Sequence, residues 1–348
     1  LVNAGRFDGE RKLAAAAQYF PYTIFLDKAL FERYNVQMPS ADWKWSEMID
    51  LMREMTKPED AIFGYNDFTL LLTMYPIVTR DADGEFGFDF ETGTYDLTGE
   101  WSEAAQLNAE LIRTGVHAPL METEEAAAAF GDPTIWPAAT GQVAMQLDAW
   151  WTYNNLFATD EYRDKGIDWV PYPVPRGDDA DSNKKPAFVD FGGISATTEH
   201  PREAYELLKW MGWDTEGWLA KIEGFKTLEN EDGSKIFNAS DSLPLTKSPE
   251  VWEALKDLYP TEEYPEFEAF WAEALEPIPL GGASQPGFQT FLEEVYFNGD
   301  WGGEPNVEVA INNGLVQAAD VAPELTDKIN QYREEAMDEF TAFHEEEL

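Results

Sequence analysis

At 348 residues the chain is long enough for two lobes, and its 44% hydrophobic and 14% aromatic content excludes a disordered polymer. Sixty-seven Asp+Glu against 24 Lys+Arg give a net charge of −43, which repels phosphate backbones and anionic lipid headgroups, so no nucleic-acid partner is expected. Cysteine is absent, which removes disulfides, thiol nucleophiles and thiolate metal sites.

LDKALFERY, from Leu26, predicts a first helix, and Pro39 and Ser40 break the pattern after it. Trp45, Met48, Ile49, Met52 and Met55 then recur at three- and four-residue spacing, an amphipathic helix over 42–56 with Ser46 as its cap. Phe86, Phe88 and Phe90 alternate with other residues, Thr92-Gly93 turns the chain, and Tyr95 and Leu97 resume, which predicts a β-hairpin. EAAQLNAELIR (103–113) is a helix ended by Gly115. QVAMQL (142–147) reads as a short buried strand, and the prolines of DWVPYPV (168–174) suit an edge or crossover strand. FVDFGGISATT (188–198) is a strand, and PREAYELLKWM (201–211) a helix with Pro201 in its first turn. Glu229 to Gly233 marks a turn between short strands. Further helices are expected over 248–258, 288–297, 307–318 and 324–343. Mixed strands and abundant helix make the fold class α/β. No run approaches the ~18–20 apolar residues of a membrane-spanning helix. A folded surface this acidic repels itself unless concentrated salt screens it, which points to a halophilic source ahead of an ordinary acidic secreted protein.

The order of these pieces resembles family 1 extracellular solute-binding proteins, the class that includes maltose-binding proteins. PYTIFLDKALFERYNV is similar to the family's strand and helix "YNKDLFEKAG", and MPSADWKWSEMIDLMREMT to its "P-x-T-W-x-E" helix, with Trp45 and Glu47 in place. GEFGFDFETGTYDLT and EAAQLNAELIRTGV match the section that follows. AATGQVAMQLDAWWTYNNL resembles "F-x-x-G-x-A-A-M-x-x-x-G-x-W", matching at Gly141, Ala144, Met145 and Trp151, while Asp148-Ala149 departs from the Gly before the Trp. WVPYPVPRG and GGISATTEHPREAYELLKWM look like the crossover into the first lobe. The sequence opens at Leu1, without the family's first βαβ units, signal peptide or lipid-attachment Cys, so the first lobe is expected to be incomplete here.

The resemblance implies a periplasmic-binding-protein type II fold of two lobes joined by hinge crossovers. Residues 1–20 and 188–246 would be the remainder of the first lobe, and 21–187 with 247–348 the second. It implies a monomeric, extracellular or periplasmic binder, tethered as a cell-surface lipoprotein. Such a binder takes a sugar or oligosaccharide in the inter-lobe cleft and delivers it to ABC permease subunits.

A sugar offers hydroxyls and an apolar C–H face, so its site needs aromatic platforms beside Asp, Asn, Glu or Arg. DAWWTYNNL concentrates these types at Asp148, Trp150, Trp151, Tyr153 and Asn154. Residue types alone leave them open between ligand platform and the core of a strand–helix junction. The family position of Trp151 favours the platform for it, Tyr153 stays a candidate, and Trp150 reads as packing. By resemblance Phe20, Tyr75 and Phe288 would face the same cleft, although packing competes at each. Asp190 is a further ligand-binding candidate, and Gly192 and Gly193 after it suit a hinge or a close backbone approach.

The case for an enzyme is thin. His117, His200 and His344 have no partner at i+3 or i+4, so neither a metal nor a cofactor is expected. Neither a G-x-S-x-G elbow nor a G-x-x-x-x-G-K-[ST] loop occurs, and 67 carboxylates cannot single out a glycosidase dyad. TRDADGEFGFDFE imitates a calcium loop at Asp81 and Asp83, yet Phe86 and Thr92 stand where Gly and Glu are required, so it reads as a turn. The rival readings are a secreted glycosidase or lyase and a binder of peptides or polyamines.

Overall fold

The computed structural model describes residues 15–67, 70–80, 82, 84–153, 160–179, 185–229, 242–259, 261–262, 264–274, 277–279, 283 and 285–347. In chain order its strands are β1 (Ala15–Asp27), β2 (Phe88–Asp89), β3 (Thr94–Tyr95), β4 (Met145–Ala149), β5 (Trp169–Tyr172), β6 (Lys185–Gly192) and β7 (Pro277–Pro279). Its α-helices are α1 (Lys28–Tyr34), α2 (Trp45–Met55), α3 (Leu70–Arg80), α4 (Glu100–Arg113), α5 (Glu124–Phe130), α6 (Asp160–Asp164), α7 (Pro201–Gly212), α8 (Thr215–Thr227), α9 (Pro249–Lys256), α10 (Glu266–Ala274), α11 (Phe288–Phe291), α12 (Val307–Asn312) and α13 (Ala318–Glu347).

The chain forms two compact units. The first comprises Leu1–Ala41, Asp148–Val174 and Lys185–Pro279; the second comprises Asp42–Leu147, Pro175–Lys184 and Leu280–Leu348. Segments 1–20 and 188–246 both fall in the first unit, which also holds 21–41, 148–174, 185–187 and 247–279.

The first unit is organised on β1. Antiparallel β6 pairs with its N-terminal half, from Ala15↔Gly192 to Pro21↔Ala187, with a register shift between Ala16 and Gln18. Antiparallel β5 pairs with its C-terminal end, from Ile24↔Tyr172 to Asp27↔Trp169. On the far side of β6 lies parallel β7. β1 ends where Asp27 caps α1, its Oδ1 accepting the Ala29 N–H at 3.1 Å. That atom also accepts the Asp168 N–H at 3.0 Å, tying the helix start to β5. Asp27 is fully buried, and burial pushes its carboxyl up to about 6 against the pull of these backbone donors.

Helix α7 packs on the β1–β6 ribbon through two small residues. A Cβ at Gly192 would lie 2.4 Å from Leu208 Cδ1, and one at Gly212 would lie 3.4 Å from the Ala17 backbone. Its other faces leave Tyr205, Leu207, Trp210 and Met211 exposed.

The second unit contains an apolar core around α4 and α13. Trp101, Leu97, Phe288, Phe291, Tyr296, Trp301 and Ile329 meet there. All five apolar positions expected of α2 are buried, as the 3.6-residue period requires. Ser46, however, is not the cap. The helix starts at Trp45, and the Lys44 N–H is taken by Glu47 Oε2 at 2.7 Å. Ser46 instead donates its N–H and its hydroxyl to Asp178, at 3.0 and 2.5 Å, so a distant carboxylate serves the helix end.

The hairpin forms with Phe88 opposite Tyr95 and Gly93 at φ +68°, but Phe86 is in a 3-10 turn at φ +56° and does not extend the strand. The helix expected over 307–318 splits. Gly314, at φ +71°, ends α12, and the Leu315 N–H returns to Ala310 O at 2.9 Å. The chain then re-enters helix at Ala318 and runs through Pro323 to Glu347. Strand β6 stops at Gly192, so Ile194 to Thr198 is not strand. Asp81, Asp83 and the turn after Glu229 lie outside the described residues.

Candidate functional site

β4 ends at Ala149, and the Trp150 N–H donates to Pro21 O at 3.0 Å, which fixes the following turn against β1. The two tryptophans of that turn then diverge. Trp150 is fully buried, stacked on Phe270 at 4.5 Å and on Tyr153 at 5.0 Å, with Trp271 and Tyr259 edge-on. Tyr153 belongs to the same cluster, only 4% exposed, with Phe25, Tyr259 and Phe267 around its ring. Both ring faces of Tyr153 are therefore occupied by protein. Burial also raises its phenol well above the ordinary value.

Trp151 faces the other way and is half-buried. Its indole meets Phe20 edge-on at 5.5 Å and Phe188 at 5.0 Å, and Phe188 in turn meets Tyr22 at 4.9 Å. Phe20 and Phe188 are direct cross-strand partners, and Gln18 and Asp190 are the next such pair. Residues two apart share a strand face, so Gln18, Phe20 and Tyr22 on β1 line up beside Phe188 and Asp190 on β6. Asp190 is exposed and Gln18 half-buried. Asp148 is half-buried at the end of β4, its Oδ1 accepting the Ala149 N–H at 2.8 Å.

Five sequence candidates, Trp151, Phe20, Asp190, Asp148 and Tyr153, thus lie in the first unit, the first three on or against one β-ribbon face and Tyr153 in the buried cluster. Phe188 was missed as a candidate. Its signal is its place two residues before Asp190, which becomes informative only with the β1–β6 register. Asn154 lies outside the described residues.

Tyr75 and Phe288 lie in the second unit. Tyr75, on α3, packs edge-on against Trp45 at 5.5 Å and donates its hydroxyl to Glu103 Oε2 at 2.9 Å. Burial and that carboxylate raise its phenol. Phe288 is 2% exposed, held by Phe86 at 5.0 Å and stacked on Tyr95 at 6.1 Å, so its ring is part of the core.

His117 is not isolated. Buried in the second unit, it places Nε2 3.2 Å from Asp67 Oδ1, contacts Ala118 O through Nδ1 and meets the Tyr65 ring at 4.7 Å. Asp67 Oδ2 accepts the Leu71 N–H at 2.9 Å, so the pair ties the start of α3 to the segment after α4. No group of three or more His, Cys, Asp or Glu among the described residues is arranged to hold a metal ion. No helix among them is long and apolar enough to cross a membrane.

Solved structures share this fold. An ABC substrate-binding protein from Listeria monocytogenes, in complex with cycloalternan, superposes with a TM-score of 0.65 at 18% identity, over 95% of this chain and 74% of its own. A cyclo/maltodextrin-binding protein complexed with maltotetraose gives 0.59 at 15% identity, over 95% and 72%. The maltose/maltodextrin-binding domain from Bdellovibrio bacteriovorus, bound to maltotriose, gives 0.57 at 15%, over 95% and 75%. The fold is that of the type II periplasmic-binding proteins. No curated protein sequence matches the chain. The family model described as bacterial extracellular solute-binding protein matches residues 4–215, well over half of it. The chain belongs to the bacterial extracellular solute-binding proteins.

Proposed function

We propose that this protein is the substrate-binding component of an ABC importer and that it takes a sugar or oligosaccharide on the open aromatic face around Trp151. The observation that carries this reading is the contrast within one turn. Trp150 is sealed in the core, while Trp151 remains half-buried between Phe20 and Phe188, beside polar Gln18 and Asp190. An accessible aromatic platform next to hydrogen-bonding side chains matches a sugar's apolar C–H face and its rim of hydroxyls. The solved relatives hold cycloalternan, maltotetraose and maltotriose, which supports a carbohydrate ligand. Delivery to a membrane permease follows from the family role. Tyr153 and Phe288 are left out of the proposed contact set because their rings are occupied by core neighbours.

Calorimetric titration of the full-length protein with a panel of neutral oligosaccharides tests the reading, with chromatography of each mixture after incubation. Saturable binding with the sugar recovered intact is the expected result. A ligand at a hundredfold excess over its dissociation constant should also stabilise the fold by about 2.7 kcal/mol. Cleaved or unsaturated products formed catalytically would replace the binder with a carbohydrate-active enzyme. Binding confined to peptides or polyamines would replace the ligand class.

A further inference from the structure

The β1–β6 face carries more than its aromatic platform. Gln18 stands directly opposite Asp190, and Phe20 directly opposite Phe188. The two pairs are one face-repeat apart, about 7 Å along the strands. Beyond the polar pair, Gly192 admits Leu208 of α7, where a Cβ would come within 2.4 Å of Leu208 Cδ1. The face therefore runs from an apolar platform, through one opposed Gln–Asp pair, to a helix wall.

Directly opposed residues on adjacent antiparallel strands hold their Cβ atoms about 5 Å apart. Gln18 brings an amide with donors and an acceptor, and Asp190 brings carboxylate acceptors only. Together they can bond neighbouring hydroxyls, each of which both donates and accepts. Asp190 is exposed, so its carboxylate is available to a ligand resting on half-buried Trp151 and Phe188, while Phe20, only 9% exposed, packs against Trp151. Asp148, three residues before Trp151, adds a second acidic group on the strand that leads to the platform.

Resting on the carbohydrate reading above, we propose that Gln18 and Asp190 are a specificity pair, which reads adjacent hydroxyls of an uncharged sugar ring and turns away acidic sugars. An anionic uronate brought beside Asp190 meets like charge as it sheds water, which costs affinity without any steric clash. Asp190→Asn keeps the shape and one acceptor but removes that repulsion. Asp190→Ala and Gln18→Ala each delete hydroxyl partners.

The experiment titrates the tightest-binding neutral oligosaccharide of the panel and a uronate oligosaccharide of equal length into the full-length wild type. The same titrations are run on Gln18→Ala, Asp190→Ala, Asp190→Asn and Trp151→Ala, with a melt recorded for each. The wild type should bind the neutral sugar and reject the uronate. Gln18→Ala and Asp190→Ala should each weaken the neutral sugar about tenfold, the scale of a lost charged or well-placed hydrogen bond. Their melts should stay near wild type. Asp190→Asn should narrow the neutral-to-acidic preference by about tenfold or more. Unchanged neutral affinity in both alanine variants, with Trp151→Ala still impaired, overturns the pair and leaves the platform standing. A wild type that takes the uronate as tightly as the neutral sugar also overturns it. If Trp151→Ala binds normally as well, or no sugar binds, the carbohydrate site itself is refuted.

Discussion

The sealed cluster around Trp150 and the open face around Trp151 begin one residue apart, yet they use aromatic rings for opposite ends. In the first, Trp150, Tyr153, Phe267, Phe270 and Trp271 pack stacked and edge-on against one another and are almost wholly buried. In the second, Trp151 touches Phe20 and Phe188 and keeps part of its surface in solvent. The turn after β4 creates the difference: Trp150 goes into the cluster with Phe270 and Trp271, and Trp151 goes against Phe20 and Phe188. Residue type is silent here. Direction decides which tryptophan is sealed in the core and which stays partly exposed.

Mutation should separate the two regions cleanly, starting with the largest effect. Trp150→Ala empties the centre of the sealed cluster and should cost about 3–5 kcal/mol of stability, read as a large fall in melting temperature without ligand. A near-normal melt would mean that the cluster is far less tightly packed than its ring contacts imply.

The next effect is a pH dependence at the edge of the sealed region. Asp27 is buried, its Oδ2 has no hydrogen-bond partner, and burial lifts its pKa from 3.8 to about 6. A carboxyl raised in the folded state stabilises the fold fully below its unfolded pKa and loses that contribution as pH rises through about 6. The shift corresponds to something on the order of 3 kcal/mol across that window. Glu85, buried in the second unit and pushed up to about 7, acts in the same direction up to a higher pH. The wild type should therefore melt higher at pH 5 than at pH 7.5. Asp27→Asn keeps an oxygen for the Ala29 and Asp168 N–H groups and should flatten the part of that slope below about pH 6. An unchanged slope in the variant would assign the effect to Glu85 and the other carboxylates instead of Asp27.

Trp151→Ala comes third and should act on binding instead. Truncating an aromatic contact at a binding hot spot costs ~2 kcal/mol, roughly thirtyfold in affinity, while the unliganded melt should stay near wild type. A collapsed melt would move Trp151 into the sealed class and erase the comparison. The smallest effect is expected at Tyr75→Phe in the second unit. It removes the 2.9 Å hydrogen bond to a half-exposed Glu103 but keeps the ring against Trp45, so stability should change by less than about 1 kcal/mol. A loss of sugar affinity in that variant would add the Tyr75 hydroxyl to the binding contacts.

Much of this architecture can be read from the residues in order. The spacing of Trp45, Met48, Ile49, Met52 and Met55 determines which face of α2 is buried, because a helix repeats every 3.6 residues whatever surrounds it. Gly93 and Gly115 mark chain reversals, and each takes the positive φ that glycine adopts without a Cβ penalty. Collinear motifs from the first strand through α7 were enough to indicate the family, and they span much of the region matched by its model. Composition likewise determined the net charge of −43 and the absence of thiol chemistry.

What tertiary structure alone decided are the pairings between residues far apart in the chain. His117 looks solitary at helical spacing, yet its partner Asp67 lies fifty positions away. Asp178 replaces Ser46 at the start of α2 across 132 positions. The hydrogen-bond register of β1 with β6 puts Phe188 beside Phe20 and Asp190 beside Gln18, and a one-residue slip would have turned that set to the opposite face. Local periodicity reports which side of an element is apolar. Whether that side closes against another element, as at Trp150, or stays open for a ligand, as proposed for Trp151, depends on what the rest of the chain brings to it.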